Sequence, residues 1–88
     1  MNDLNSILIT GKATSDWQEY SGLFFVENQR RRKVNGEWKD IVIEFTVQAV
    51  GEKLRQICRD NVKTGVKVRV VGTMEDGYIL LDHMEVVQ

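Results

Sequence analysis

The feature that most constrains this chain is a short amphipathic segment, Gly51 to Gly65, placed between two strand-like runs. Apolar residues recur in it at helical spacing, and charged or polar residues occupy the other positions. The apolar set consists of Leu54, Ile57, Cys58 and Val62. The run before the segment, IVIEFTVQAV, and the run after it, VKVRVVG, both alternate in the manner of half-buried strands. The sequence therefore predicts a helix whose apolar face plugs a small β-barrel.

Alternating apolar residues predict five strands in all. In the third, every second side chain from Ile41 to Ala49 faces the core, and Glu44 faces outward. Before it, the dipeptide Asn35-Gly36 readily adopts positive φ and marks a hairpin turn. The other strands extend over about Asn5 to Lys12, Gly22 to the Asn35-Gly36 turn, Val66 to Gly72 and, after a tight turn at Glu75-Asp76-Gly77, Tyr78 to Val87. This order predicts an all-β oligonucleotide/oligosaccharide-binding (OB) fold: a five-stranded barrel with one short α-helix between strands three and four, as a single domain over residues 1–88.

Composition agrees with one small intracellular domain held together by packing. Hydrophobic residues make up 42% of the 88 residues, which is enough for one core. Cys58 is the single cysteine, so no intrachain disulfide can form, and its place on the apolar helix face predicts inert burial. The apolar run from Ile7 to Ile9 is too short for a signal peptide or a membrane span. We expect a soluble, cytoplasmic protein.

Charge is distributed unevenly along the chain. The net charge is −1, but the segment from Asn28 to Lys39 holds five basic residues against the one acid Glu37. The remaining seven basic and twelve acidic residues sum to −5. Such a separation concentrates positive potential on the hairpin between strands two and three. The hairpin is therefore either a polyanion-binding surface or merely a solvated tip.

No pattern in the chain indicates catalysis. The single histidine, His83, has no cysteine or carboxylate cluster at ligand spacing. A glycine-rich phosphate loop and a nucleophile elbow are also absent from the sequence. We therefore expect neither an enzyme nor a metal or cofactor.

Several stretches resemble the bacterial single-stranded DNA-binding protein family (SSB), including its relative, primosomal replication protein N. The resemblance covers nearly the whole chain and is carried by NSILITGKATSD, SGLFFVENQR, NGEWKD, VGEKLRQICRDNVKTGVKVRVVG and LLDHMEVV. It implies an OB fold that binds single-stranded DNA in replication, replication restart or repair, associated with the nucleoid and with possible replication-protein partners. It also implies a dimer or tetramer, which we expect to form through strand one, because Ser6 to Gly11 has no charge or proline to blunt an edge.

The chain departs from the family pattern at its stacking positions. Counted back from Gly51, the two commonest of these positions on strand three fall on Val50 and Glu44, and neither is aromatic. The family's long hairpin between strands four and five is reduced to Glu75-Asp76-Gly77. The compact primosomal type, or a small divergent relative, is therefore the better match.

Candidate binding residues combine the basic hairpin with nearby aromatic rings, as single-strand binders do. Because strand side chains alternate, we expect Phe24 and Val26 in the core and Phe25 outside, beside Glu27 and Gln29. Trp38 can stack a base, cap the barrel mouth or fill a subunit interface. Trp17, Tyr20 and Tyr78 are assigned to packing or loop anchoring. The candidate set is Phe25, Arg30, Arg31, Arg32, Lys33, Trp38 and Lys39.

Three functions fit these observations. The first is binding of single-stranded DNA. The second is an OB-fold protein-interaction subunit with lost or weak nucleic-acid binding, which Glu44 and the acidic body of the chain suggest. The third is a small RNA-binding protein.

Overall fold

In the computed structural model, which describes residues 6–88, five strands close into a barrel and one helix follows the third strand. Around the barrel the strands are ordered β1-β2-β3-β5-β4. All neighbours are antiparallel except β3 and β5. This arrangement confirms the predicted OB fold. The elements are β1 (Ser6–Ala13), β2 (Leu23–Val34), β3 (Glu37–Gln48), α1 (Glu52–Asn61), β4 (Lys67–Met74) and β5 (Ile79–Val86).

Element boundaries differ from the predicted ones at a few ends. Asn5, the predicted start of the first strand, lies outside the described residues, and β1 continues to Ala13. The helix ends at Asn61, earlier than expected, because Val62 already has extended dihedral angles (φ −86°, ψ 111°). Val62 is fully buried, so the chain turns there to place its side chain in the core before β4 begins.

The long β2–β3 hairpin determines the shape of the molecule. The two strands pair without interruption from Leu23 opposite Gln48 to Val34 opposite Glu37. Asn35 (φ 51°) and Gly36 (φ 83°) form the predicted turn. Among the described residues, β2 pairs with β1 only at Val26 and Glu27, and β3 pairs with β5 only at Val47 and Gln48. Residues 28–43 therefore leave the barrel as a two-stranded ribbon, which we call the arm.

The core is formed by the inward side chains of all five strands together with α1. Phe24 and Val26 are fully buried, which confirms the predicted register of β2. Cys58 and Val62 are buried at the end of the barrel that α1 closes, with Leu54 and Ile57 packed beside them. Because Ile41 and Ile43 belong to the arm, they are only half-buried rather than in the core as predicted.

β1 is paired unequally on its two sides. It pairs with β4 at seven positions, from Ser6 to Lys12, but with β2 only at Lys12 and Ala13. Beyond that point the two strands separate, and the Asn28 side-chain amide donates a 2.7 Å hydrogen bond to the Thr10 carbonyl oxygen. Within residues 6–88, the edge of Ser6–Gly11 that faces β2 therefore has no strand partner, and β2 touches it only at Thr10 and Gly11.

Two glycines allow strands to approach closely. A Cβ atom at Gly11 would overlap the carbonyl oxygen of Glu27, and one at Gly72 would overlap that of Leu80. We expect Gly11→Ala and Gly72→Ala each to lower the free energy of unfolding by about 1–3 kcal/mol, since backbone oxygens cannot move aside as side chains can. Urea unfolding measures this loss.

Gly36→Asn is the control for these two variants. A Cβ there meets nothing within 4 Å, and asparagine tolerates the φ of 83°. Unfolding midpoints of the alanine variants equal to that of Gly36→Asn would contradict the close approach.

Candidate nucleic-acid interface

The register of β2 and β3 sorts the side chains of the arm onto two faces. Partners directly opposite in an antiparallel pair point to the same side, and successive residues alternate. We call the side of the arm that continues the core-facing side of β2 and β3 the inner face, and we call the opposite side the outer face. Inner pairs are Asn28 with Ile43, Arg30 with Ile41, and Arg32 with Lys39. Outer pairs, from the barrel to the tip, are Phe25 with Thr46, Glu27 with Glu44, Gln29 with Val42, Arg31 with Asp40, and Lys33 with Trp38.

The candidate residues do not form one cluster. The outer face carries four of them and the inner face carries the other three. The reason is that Arg30 to Lys33 lie within a continuous strand, whose period of two separates neighbouring side chains. The outer four are Phe25, Arg31, Lys33 and Trp38, and the inner three are Arg30, Arg32 and Lys39.

Trp38 is open to solvent near the tip of the arm. Its relative exposure is 61%, so within this chain it does not cap the barrel mouth. The Arg31 guanidinium lies 5.9 Å from the centre of its ring, and Arg31 also faces Asp40 at 3.4 Å. An exposed ring beside a guanidinium offers both a stacking surface and a cation.

Phe25 lies at the barrel end of the outer face and is half-buried. Its carbonyl oxygen accepts a 2.9 Å hydrogen bond from the Thr14 amide, and its own amide donates to the Ser15 hydroxyl at 3.2 Å. These bonds fix the backbone that orients the ring. Thr46, the partner of Phe25, follows Trp38 by eight positions along β3, which is about 26 Å, so the two rings are far apart.

An acidic pair lies between the two rings. Glu27 and Glu44 are directly opposite each other on the outer face. Glu44 accepts a 3.0 Å hydrogen bond from the Thr14 hydroxyl, and Glu27 accepts one of 3.1 Å from the side-chain amide of Gln29. Like charges in opposed positions repel each other and would also repel a phosphate.

A groove opens on the outer side where β1 and β2 separate. It encloses about 420 Å³ and is bordered by Thr10, Gly11, Lys12, Glu27, Gln29 and Lys67. Lys12 and Lys67 are directly opposed in the β1–β4 register, and no ion pair involves either of them within residues 6–88. Sequence reasoning missed these two cations. Both occupy outward strand positions, but only the pairing of β1 with β4 brings them together.

A polar cluster fastens the loop between β1 and β2 to α1. We call it the clasp, and it consists of Trp17, Glu19, Arg55 and Arg59. The Glu19 carboxylate accepts hydrogen bonds from Arg59, from Arg55 at 3.2 Å and from the Trp17 indole at 3.2 Å. The centre of the Trp17 ring is 6.3 Å from that of Phe24 and 5.6 Å from the Arg55 guanidinium. Trp17 therefore has the predicted packing role.

Tyr20 does not have the role predicted for it. Its side chain is fully exposed, at 103% of the reference area, and so it neither packs nor anchors the loop. Tyr78, by contrast, is half-buried.

Other chemistry is scarce in the part of the chain that the structure describes. Burial raises the pKa of the Cys58 thiol to about 11, which keeps it protonated and unreactive at neutral pH. Across residues 6–88, no three His, Cys, Asp or Glu side chains gather as metal ligands would. In the same residues, no helix is long and apolar enough to span a membrane.

Comparison with known proteins gives a fold-level likeness. No family model and no curated protein matches the chain. The SSB of Plasmodium falciparum in complex with single-stranded DNA superposes with a TM-score of 0.78 and 12% identity, covering 100% of this chain and 98% of that one. The small single-stranded DNA-binding protein from Streptomyces coelicolor superposes with a TM-score of 0.75 and 19% identity, covering 99% of this chain and 96% of that one. The protein PriB from Ralstonia solanacearum superposes with a TM-score of 0.62 and 11% identity, covering 97% of this chain and 100% of that one.

This chain thus has the fold of single-stranded DNA-binding proteins, including the small bacterial type and PriB. These are the proteins to which the sequence resemblance pointed, and at the level of the fold that resemblance is confirmed.

The clasp makes stability depend on pH. Chiefly through its hydrogen bond to Arg59, Glu19 has a pKa lowered from 4.5 to about 2. Because this pKa is lower in the folded state than in the unfolded state, the ionised Glu19 carboxylate stabilises the fold above pH 4.5. This stabilisation is lost as the carboxylate becomes protonated, when pH falls towards 2. We therefore expect Glu19→Gln to lower the melting temperature at pH 7 and to reduce its dependence on pH between 5 and 2, as thermal unfolding would measure.

Glu52→Gln is the matched control. Glu52 also faces Arg59, at 3.6 Å, but its side chain is 79% exposed, and exposed ion pairs contribute little. Identical pH profiles for the two variants would contradict a stabilising clasp centred on Glu19.

Proposed function

We propose that this protein binds single-stranded DNA along the outer face of β2 and β3, in DNA replication, replication restart or repair. The observation that carries the proposal is the arm, which holds an exposed tryptophan and five cations beyond a barrel of the SSB fold. Cationic tracks combined with aromatic rings are the usual means of holding a single strand. The role is one of binding rather than catalysis.

The outer face offers a path for the strand. Bases stack on Trp38 at the tip and on Phe25 at the barrel, while Arg31 and Lys33 contact phosphates. Between the rings the backbone passes along the groove, where Lys12 and Lys67 offset the charge of Glu27 on the border of that groove and Glu44 lies on the far side of Glu27. The inner-face cations Arg30, Arg32 and Lys39 add to the positive field that attracts a polyanion.

A protein-interaction subunit is the second candidate function. The Glu27–Glu44 pair favours it, because two anions in the middle of the outer face oppose a polyanion. Binding of RNA is the third, since base stacking alone does not distinguish the two nucleic acids. The fold shared with a DNA complex favours DNA.

Assembly is proposed to occur through β1. The open edge of Ser6–Gly11 offers backbone groups to a second copy, giving a homodimer or a dimer of dimers. We place this assembly in the cytoplasm, at the nucleoid, where it would meet replication proteins. Light scattering at micromolar concentration is expected to give at least twice the monomer mass of 10.2 kDa, and a uniform monomer would contradict the interface.

The two faces of the arm provide the test of the DNA-binding site. Arg31→Ala with Lys33→Ala removes two outer cations, and Arg30→Ala with Arg32→Ala removes two inner ones. Both double variants lose two positive charges, so they are matched in net charge and remove it from opposite faces of the arm. We expect the outer pair to weaken binding to a labelled oligothymidylate more strongly, and to reduce the salt slope by about 1.4, which is 0.7 for each of two phosphate contacts.

Fluorescence anisotropy at several salt concentrations measures both quantities, with duplex DNA and single-stranded RNA as competitors. Neither variant should change the melting temperature appreciably, since exposed charges contribute little to folding. Equal losses for the two faces would contradict the outer-face site. Absence of binding by the unaltered protein at any salt concentration would favour the protein-interaction function.

A further inference from the structure

Tyr20 presents a large aromatic ring wholly to solvent. At 103% relative exposure it is the most exposed of the large hydrophobic side chains in the described residues. A ring in this state contributes no burial to the stability of the chain. The ring is therefore free to contact a ligand.

The backbone on both sides of Tyr20 is fixed. Gln18 and Leu23 form an isolated β-bridge, in which the Gln18 amide donates to the Leu23 carbonyl oxygen at 3.1 Å. The Gly22 amide donates in turn to the Gln18 carbonyl oxygen at 2.8 Å, which closes a tight turn with Tyr20 at its tip. Gly22 has a φ of 72°, and a Cβ there would come within 2.7 Å of an Arg55 guanidinium nitrogen. These hydrogen bonds and the positive φ of Gly22 give the turn a defined conformation.

The clasp holds this turn against α1. Arg55 donates to the Glu19 carbonyl oxygen at 2.6 Å, and both Arg55 and Arg59 bind the Glu19 carboxylate. The residue immediately before Tyr20 is thus held through its main chain and its side chain. Because two guanidiniums occupy the Glu19 carboxylate, the turn does not present a bare anion next to the ring.

The turn lies beside the barrel end of β2 and β3. The Ala49 amide donates to the Gly22 carbonyl oxygen at 2.9 Å, which joins the turn to the residue that follows β3. The next residue, Val50, is 59% exposed, and Phe25 lies on the outer face two residues after the start of β2. Tyr20 precedes β2 and Trp38 follows it, so exposed rings lie at both ends of this strand.

We propose that Tyr20 stacks a base of the bound single strand, and that the clasp acts as the positioning device for its ring. The proposal rests on the proposed function and adds a contact at the end of the outer face remote from the arm. A ring on a pre-formed turn loses little conformational entropy when a base stacks on it. Stacking on an aromatic face accepts any base, so the contact adds affinity without sequence preference.

Replacing the ring tests the contact. With an oligothymidylate as the probe, Tyr20→Leu is expected to weaken binding by between about 5-fold and 150-fold, the usual range for the loss of one stacked base. Tyr20→Phe keeps the ring and is expected to bind within about 2-fold of the unaltered protein. Since the side chain is exposed, both variants should melt at the unaltered temperature.

The outcomes separate the two proposals. If the unaltered protein binds and Tyr20→Leu binds equally well, the stacking role is overturned while the proposed function stands. If the unaltered protein does not bind the oligonucleotide, the proposed function fails and this contact fails with it. Equal loss in Tyr20→Leu and Tyr20→Phe would assign the effect to the hydroxyl and would also overturn stacking.

A double-variant cycle tests the positioning role of the clasp. Glu19→Gln removes a negative charge, which by itself would favour binding of a polyanion. We expect it nevertheless to weaken binding several-fold in the unaltered background, and to have no further effect once Tyr20 is leucine. If Glu19→Gln weakened binding by the same factor in the unaltered protein and in Tyr20→Leu, the clasp would not act through Tyr20.

Discussion

The unbroken pairing of β2 with β3 is the constraint on which the rest of the structure depends. Every residue of the two strands has a partner from Leu23 to Val34, and the Asn35-Gly36 turn supplies the positive φ angles that close the hairpin. At its base the ribbon belongs to the barrel and supplies Phe24, Val26 and Val47 to the core. At its tip it is free on both edges within the described residues. One pairing therefore creates both the core and the arm, and its register decides which cations share a face with Trp38.

The arm is stable only because its base is anchored. A two-stranded ribbon alone is marginal in water, and this one carries four consecutive cations, Arg30 to Lys33, that repel one another. Few contacts within the arm offset this repulsion. Arg31 has one exposed ion pair with Asp40, and the inner face keeps Ile41 and Ile43 half-buried near the barrel. A bound polyanion would offset this repulsion, so we expect binding of a nucleic acid to stabilise the arm more than the barrel.

Sequence patterns predicted the parts of the fold that depend on neighbours in the chain. Alternation fixed Phe24 inward and Phe25 outward, and the Asn35-Gly36 dipeptide located the turn. Alternation gives the side of a strand on which a residue lies, but not which other strand covers it. For that reason Ile41 and Ile43 were expected in the core, although β3 has already left the barrel there.

Parts of the candidate site that depend on distant pairings could not be predicted. Lys12 meets Lys67 only through the β1–β4 register, and Glu19 meets Arg59 only after α1 folds against the loop. Nothing local to Tyr20 in the sequence indicates that the residues around it are fastened while its ring stays free. The run Arg30 to Lys33 is continuous along the chain, whereas the strand divides its side chains between two faces.

The central claim is that the outer face of β2 and β3 receives the single strand, and the emission of Trp38 tests it most directly. In a Trp17→Phe variant, which keeps an aromatic ring against Phe24, Trp38 is the only tryptophan. Titration with an oligothymidylate should quench its fluorescence, because a base stacks on the exposed ring, with the same dissociation constant that anisotropy gives. Saturable binding by anisotropy with unchanged Trp38 emission would place the strand elsewhere on the protein and contradict the account.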